Sequence, residues 1–400
     1  MRMRVCFLFN HDQIHQVAHS LPVALSLAKG GFHGEIIVAT TNERMAREVE
    51  RIAGEFLGTL IEHVRLSLKP VSRRLSALLG GMVPASKLLV YRDNLDFFRS
   101  LDVLVVAEKT SLLLKKQYGL DKLCIIHTRH GAGDRAIGFD KASARFDHVL
   151  CSGPKIKRRL VEETGLDPDR VSIVGYPKFD LMKTGRSGLQ LRSDYPTVLY
   201  NPHPSPHLSS WYRHGRRIID FFVDNPDYNL IFAPHVMLFE RNFVLTIDKL
   251  TIDRPGTIGQ RCLRGDNIHF DLGSRASTDM TYTLAADIYV GDASSQVYEF
   301  LVRPRPCIFI NSRGQDWRGN SNFRHWEAGE VISGPEELGP ALARAEALHQ
   351  EKYRAVQERL FAESFDLSDE PSSDRAARVI AGIAERRANV YATGRLAKAA

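Results

Sequence analysis

The sequence predicts an α/β protein made of two doubly wound, Rossmann-like domains that face each other across a cleft. Three observations carry this expectation. Short apolar runs alternate with segments of helical spacing through most of the chain, the pattern of a parallel sheet with helices on both faces. The alternation pauses at a polar stretch, residues 183–195, and then restarts. The chain has 400 residues, more than one ordinary core accommodates and suited to two.

The elements follow in order. Residues 4–10, with Val5, Phe7, Leu8 and Phe9, read as a buried first strand. Residues 14–29 have helical spacing, and Gly30-Gly31 stop that helix. A strand at 35–40 and a helix at 43–56 come next, then strands at 102–107, 123–127, 147–151 and 171–174 with helices between them. The 183–195 stretch has the glycine, serine and charge content of an interdomain linker. After it, strands are expected at 197–201, 229–233, 267–270, 287–290 and 306–310, and helices at 212–223, 236–249, 274–285, 295–302 and 336–361. A last helix, 373–388, is expected to cross back onto the first domain. The domains are therefore 1–182 and 196–372, joined by 183–195 and followed by the segment 373–400.

Bulk properties narrow the class. A hydrophobic fraction of 44% and a charged fraction of 25% are those of a soluble globular protein. No stretch approaches the roughly 20 apolar residues that span a bilayer. The apolar run at the N-terminus is too short for a signal peptide. The five cysteines are scattered, without Cys-x-x-Cys, which fits reduced thiols in the cytoplasm and argues against a disulfide framework or zinc knuckle. The net charge of +7 asks for anionic partners. Basic residues are not gathered in one tract with interleaved aromatics, so nucleic acid is not the expected partner. A phosphorylated substrate or an anionic membrane surface explains the charge. Residues 65–92 mix Leu75, Leu78, Leu88 and Leu89 with Arg65, Arg73, Arg74 and Lys87. Such a stretch either lies on an anionic membrane or packs on the sheet with a solvated basic face.

The most informative segment is 285–301. It reads as a buried strand, a Gly291-Asp292-Ala293-Ser294-Ser295 corner and an immediate helix. The first turn of a helix has unpaired N–H groups and the positive end of a dipole. With two hydroxyls added, it makes a phosphate site. Ser294 and Ser295 are expected to hold phosphate oxygens of a nucleotide diphosphate, with Gly291 and Asp292 shaping the corner. Glu299, one turn on, either accepts hydrogen bonds from a ribose or complements the helix dipole.

Histidines supply candidate acid–base groups. His130 follows a strong strand in His127-Thr128-Arg129-His130-Gly131-Ala132-Gly133-Asp134-Arg135, where an imidazole titrating near neutrality serves as general base. His127, still within the strand, reads as structural. Gly131-x-Gly133-x-x-Ala136 imitates a dinucleotide fingerprint, but no acidic strand end follows at the expected distance. The absence of Gly-x-Ser-x-Gly excludes a hydrolase elbow. His203 and His235 each end a strand among prolines, placed to donate to phosphate oxygens or stabilise a leaving group. His11, His15 and His19 share one helix face without the glutamate of a zinc motif. His15 and Arg135 are the acceptor-side candidates.

These stations, in this order, resemble the CDP-glycerol glycerophosphotransferase family, teichoic-acid primases and polymerases with a GT-B fold. The similarity covers about residues 120–380 and rests on His130-Gly131 with Gly138-Phe139-Asp140, Gly175-Tyr176-Pro177-Lys178-Phe179-Asp180, Tyr200-Asn201-Pro202, His235, and Asp292-Ala293-Ser294-Ser295 with Glu299. Arg303-Pro304-Arg305-Pro306 and Ser372-Ser373-Asp374-Arg375 also fit. Ala132-Gly133 stands where the family has Thr-Pro, and Glu299 where it has Asp.

The resemblance implies a metal-independent transferase without a cofactor. His130 would deprotonate an acceptor hydroxyl, His235 would act on the diphosphate or transferred phosphoryl group, and Ser294, Ser295 and Glu299 would hold the CDP portion. The expected function is transfer of glycerol phosphate, or a similar group, from CDP-glycerol or another nucleotide-activated donor to a glycan or lipid-linked acceptor of the cell envelope. The enzyme would be cytoplasmic, or peripheral at the inner face of the membrane. Two alternatives stay open: a glycosyltransferase using a CMP- or UDP-sugar in capsule or lipopolysaccharide synthesis, and a UDP-sugar 2-epimerase.

Overall fold

A computed structural model describes the chain except residues 1, 11–13, 80–84, 130, 183–188, 190, 193, 241–243, 247–250, 260–264 and 400. Side chains at 15, 79, 137, 244–246, 251–252 and 394–399 also lie outside the description. The chain forms two units. The first comprises Met1–His130, Phe139–Leu181 and Ser364–Ala400, and the second Gly131–Gly138 and Met182–Glu363.

The first unit holds a seven-stranded sheet of β1 (Arg4–Phe9), β2 (Glu35–Thr40), β3 (Glu62–Arg65), β4 (Val103–Val106), β5 (Cys124–Thr128), β6 (His148–Cys151) and β7 (Val171–Ile173). The order is β3-β2-β1-β4-β5-β6-β7, and every pairing is parallel. Strand side chains alternate between faces. Val5, Phe7 and Phe9 therefore enter one core, with helices Val17–Lys29, Glu43–Ala53 and Ser372–Ala399 over it. Cys6 and Leu8 enter the other, with Tyr91, Phe98, Phe146 and Leu160. Burial on both faces explains why these strands are continuous apolar runs. Ala376, Ile380 and Ala384 fix the last helix in the first core, and the Ser26 hydroxyl donates to Asp374 at its start.

The second unit repeats the plan with six parallel strands, β8 (Thr197–Asn201), β9 (Asn229–Phe232), β12 (Ile268–Phe270), β13 (Ile288–Gly291), β14 (Cys307–Ile310) and β15 (Glu330–Ile332), in the order β12-β9-β8-β13-β14-β15. A separate antiparallel pair joins β10 (Val244–Thr246) to β11 (Thr251–Asp253). Strand order reverses between β1 and β4 in the first sheet and between β8 and β13 in the second. Such reversals are where doubly wound sheets receive ligands, outside the carboxyl ends of the strands.

Several expectations needed correction. The helix foreseen at 236–249 is absent among the described residues, where turns after His235 lead to β10. The stretch 274–285 is a 3-10 turn, Arg275–Ser277, and a short helix, Thr281–Ala285, interrupted at Met280 with φ 73°. The helix foreseen at 295–302 has only five residues, Gln296–Phe300. The stretch 336–361 is two helices, Leu338–Leu348 and Arg354–Ser364, joined by a π turn. β3 and β15 had no apolar signature because they are short, partly exposed sheet edges.

Candidate functional site

The reversal in the second sheet brings two strand ends together. Gly291, the last residue of β13, is in register with Asn201, the last of β8. The chain leaves β8 through Pro202-His203 and β13 through Asp292 to Ser295. Asp292 is fully buried and joins the two exits. Its Oδ1 accepts the main-chain N–H of His203 at 2.8 Å and of Ala293 at 2.7 Å. Its Oδ2 accepts the N–H of Ser210 at 2.6 Å and the Ser210 hydroxyl at 2.8 Å. Burial pushes the carboxyl pKa up to about 6 against the lowering effect of these hydrogen bonds. With all four partners internal, Asp292 is the brace of the corner.

The adjacent strand β9 ends before His235, whose main-chain N–H donates to the Pro202 carbonyl at 3.1 Å. The His203 and His235 rings stand 6.0 Å apart between centroids. Each ring presents Nδ1 to a main-chain N–H two residues on, Ser205 at 3.0 Å and Met237 at 3.3 Å. An accepting Nδ1 leaves the proton of a neutral ring on Nε2. Burial, then the neighbouring Arg135, holds His203 well below the usual histidine range, and His235, His325 and His207 add to the effect. Burial and then Arg135 lower His235 to about 4.

The loop Gly131–Gly138 belongs to this second unit. Asp134 is buried, and its Oδ2 accepts the Tyr298 hydroxyl at 2.6 Å and the His325 N–H at 3.0 Å, with His325 Nδ1 at 3.1 Å. His325 Nε2 and Trp326 Nε1 meet the Asp292 carbonyl at 3.1 and 2.9 Å. Arg135, the next residue, has its Nη1 2.5 Å from His203 Nε2. Gly131 adopts φ 80°, which favours glycine.

The structure thus brings together Gly291, Asp292, Ser294, Ser295, His203, His235 and Arg135, all in the second unit. Ser294 is buried and its Oγ accepts the Gln296 N–H at 3.4 Å, whereas Ser295 is exposed. Glu299 is buried within the short helix. Five residues make a weak dipole, so the corner relies on local donors more than expected. His130 lies outside the described residues. His15 sits in the 3-10 turn Ile14–Gln16 of the first unit, and its side chain is outside the description. His127 is buried and stacked on Phe146 at 4.4 Å, a structural role. Sequence reasoning missed Asp134, Ser210, Tyr298, His325 and Trp326. An aspartate in a glycine-rich loop reads as turn chemistry, Tyr298 sits inside the 285–301 segment but reads as an apolar helix position, and Ser210, His325 and Trp326 lie outside the motifs.

Two doubly wound units in tandem define an α/β protein of the GT-B-like kind. No protein-family model and no curated protein matches the sequence. Solved structures do match by fold. The wall teichoic acid polymerase TagF is similar with a TM-score of 0.59 at 14% identity, covering 96% of this chain and 89% of that one. A putative UDP-N-acetylglucosamine 2-epimerase from Listeria monocytogenes is similar with a TM-score of 0.58 at 14% identity, covering 96% of each chain. UDP-GlcNAc 2-epimerase from Neisseria meningitidis, bound to UDP-GlcNAc, gives 0.56 at 11% identity, covering 96% of this chain and 100% of that one.

Proposed function

We propose that the protein is a GT-B transferase that moves glycerol phosphate, or a similar group, from a CDP-activated donor to a hydroxyl of a cell-envelope glycan or lipid-linked acceptor. The observation that carries this reading is the group of donors at the β8/β13 reversal. The His203 and His235 rings stand 6.0 Å apart at neighbouring strand ends with each Nδ1 held by a main-chain N–H, and Asp292 ties the β13 exit leading to Ser295 to the same place, an arrangement suited to oxygens of a diphosphate. The fold's matches include TagF with CDPG and an epimerase with UDP-GlcNAc, which supports a nucleotide-activated donor.

In this mechanism the acceptor oxygen attacks the phosphorus carrying glycerol while the bond from that phosphorus to the bridging oxygen breaks, releasing CMP. His130 takes the proton from the attacking hydroxyl. His235 and His203 donate to diphosphate oxygens on which charge develops. Ser294, Ser295 and Glu299 hold the CDP portion at the corner that Gly291 and Asp292 shape. His15 stays on the acceptor side.

A second reading, a CMP- or UDP-sugar glycosyltransferase or a UDP-sugar 2-epimerase, is favoured by the epimerase matches. Incubation with labelled CDP-glycerol, CMP-sugars and UDP-sugars separates them. Release of CMP from CDP-glycerol in the presence of an envelope acceptor supports transfer. Turnover confined to CMP- or UDP-sugars supports the second reading, and no turnover or binding of any nucleotide removes both.

A further inference from the structure

We infer that the loop Gly131–Gly138 is a diphosphate clamp: Arg135 shares an anionic oxygen with His203, and Asp134 and His325 are positioning residues that hold it there. This rests on the nucleotide-donor reading above, extends it to a loop drawn from the other half of the sequence, and moves Arg135 to the donor diphosphate from the acceptor side where the sequence analysis placed it.

The argument starts from one lone pair. A neutral imidazole has one acceptor nitrogen, and a guanidinium has donors only. His203 meets donors at both nitrogens, the Ser205 N–H at 3.0 Å and Arg135 Nη1 at 2.5 Å. Whichever nitrogen carries the proton, one donor is in excess. Arg135 is half-buried, and among the described residues it pairs with no carboxylate. A sheltered cation without a counter-charge is unfavourable. A phosphate oxygen between Arg135 and His203 would accept from both and remove the conflict.

The contact is held by a closed circuit. Asp134 binds His325, His325 Nε2 meets the Asp292 carbonyl, and the Asp292 carboxylate accepts the His203 N–H. Arg135 follows Asp134 in the chain and returns to His203. His325 shows the opposite polarity to His203, since both its nitrogens face acceptors. The loop and the β8 exit are therefore fixed to one frame.

The test is calorimetric titration of the full chain with CDP, UDP and inorganic pyrophosphate. Arg135→Gln should weaken the preferred nucleoside diphosphate and pyrophosphate by about 10-fold or more, the scale of a charge-assisted hydrogen bond. Asp134→Asn should weaken binding in the wild-type background and much less in the Arg135→Gln background, the coupling expected of a residue acting through another. Tyr298→Phe, which leaves the Asp134 carboxylate and its His325 partners, gives the same cycle in a milder form should Asp134→Asn fail to fold. Wild-type affinity in Arg135→Gln overturns the clamp while leaving the nucleotide reading intact. Equal losses in both backgrounds, with only a lower Tm, overturn the positioning role. Failure of the wild-type chain to bind all three probes overturns the nucleotide reading and the clamp with it.

Discussion

Gly133 lies so close to Ser295 that a Cβ at position 133 would stand 2.8 Å from the Ser295 Cβ. Only a residue without a side chain lets the loop and the serine corner meet this way. Gly133→Ala must push the two apart, an overpacking cost of about 1–3 kcal/mol. The displaced loop carries Arg135 and continues directly from His130 in the chain. We therefore expect kcat/KM to fall by about 10-fold or more while the circular dichroism spectrum is retained. Wild-type turnover in this variant would show that the close approach has no part in the chemistry.

His130 and His235 are expected to fail differently. On the proposed mechanism His130→Ala would remove the acceptor base and should lower kcat by about 100-fold with nucleotide affinity unchanged. His235→Ala removes a donor to the diphosphate and should lower both turnover and nucleotide affinity. Steady-state kinetics with a separate binding measurement distinguish the two, and unchanged turnover in either variant removes that residue from the mechanism.

Both sheets were legible because their central strands are buried on two faces and so appear as apolar runs. The edge strands β3 and β15 were not, since four and three residues with partly exposed positions are too short to show an apolar run. At the site, the order Ser294-Ser295, His203 and His235 could be read because each follows a strong strand. The Asp134 tether could not. Its partners Tyr298 and His325 are 164 and 191 residues away in the chain, and periodicity reports local structure, not such long-range pairing. Asp292 was visible as part of a motif, yet its role as an internal brace depends on Ser210, which only the folded chain brings near.

The neutral histidines predict an acid-sensitive fold. His235 is lowered to about 4, against about 6.5 for an unperturbed ring. Its unfolded state binds the proton more readily, so the stability it contributes is complete above about pH 6.5 and is lost as pH falls toward 4. His203, also lowered, acts in the same sense. Asp292, pushed up to about 6, opposes them, because its contribution favours folding at acid pH and is lost as pH rises through that value. The groups facing these rings include Arg135, His207 and His325. Urea unfolding of wild type and His235→Gln at pH 7, 5.5 and 4.5 should show a shallower acid loss in the variant. Parallel curves would contradict a neutral, half-buried His235.

The stretch 65–92 does not stay on one surface. Leu66 and Val90 are buried, whereas helix Pro70–Leu79 exposes Val71 at 76%, Leu75 at 40% and Leu78 at 81%. Their spacing places them on one face, with exposed Arg73 and Arg74 beside them. Ser72 points inward and donates to Asp93 at 2.9 Å, so the helix is anchored on its other side. No helix among the described residues is long and apolar enough to cross a membrane, but this face has the composition of an interfacial one. It predicts flotation with vesicles containing anionic lipid at low salt and release at 1 M salt, where the screening length falls to about 3 Å. Reversing both charges in Arg73→Glu/Arg74→Glu should weaken binding by about 10-fold or more, given about 1 kcal/mol per basic residue near such a surface. Leu78→Ser, which removes apolar area without adding charge, should also weaken binding at low salt. If the wild-type chain stays with the unbound fraction at low salt, the face is simply a solvated helix surface.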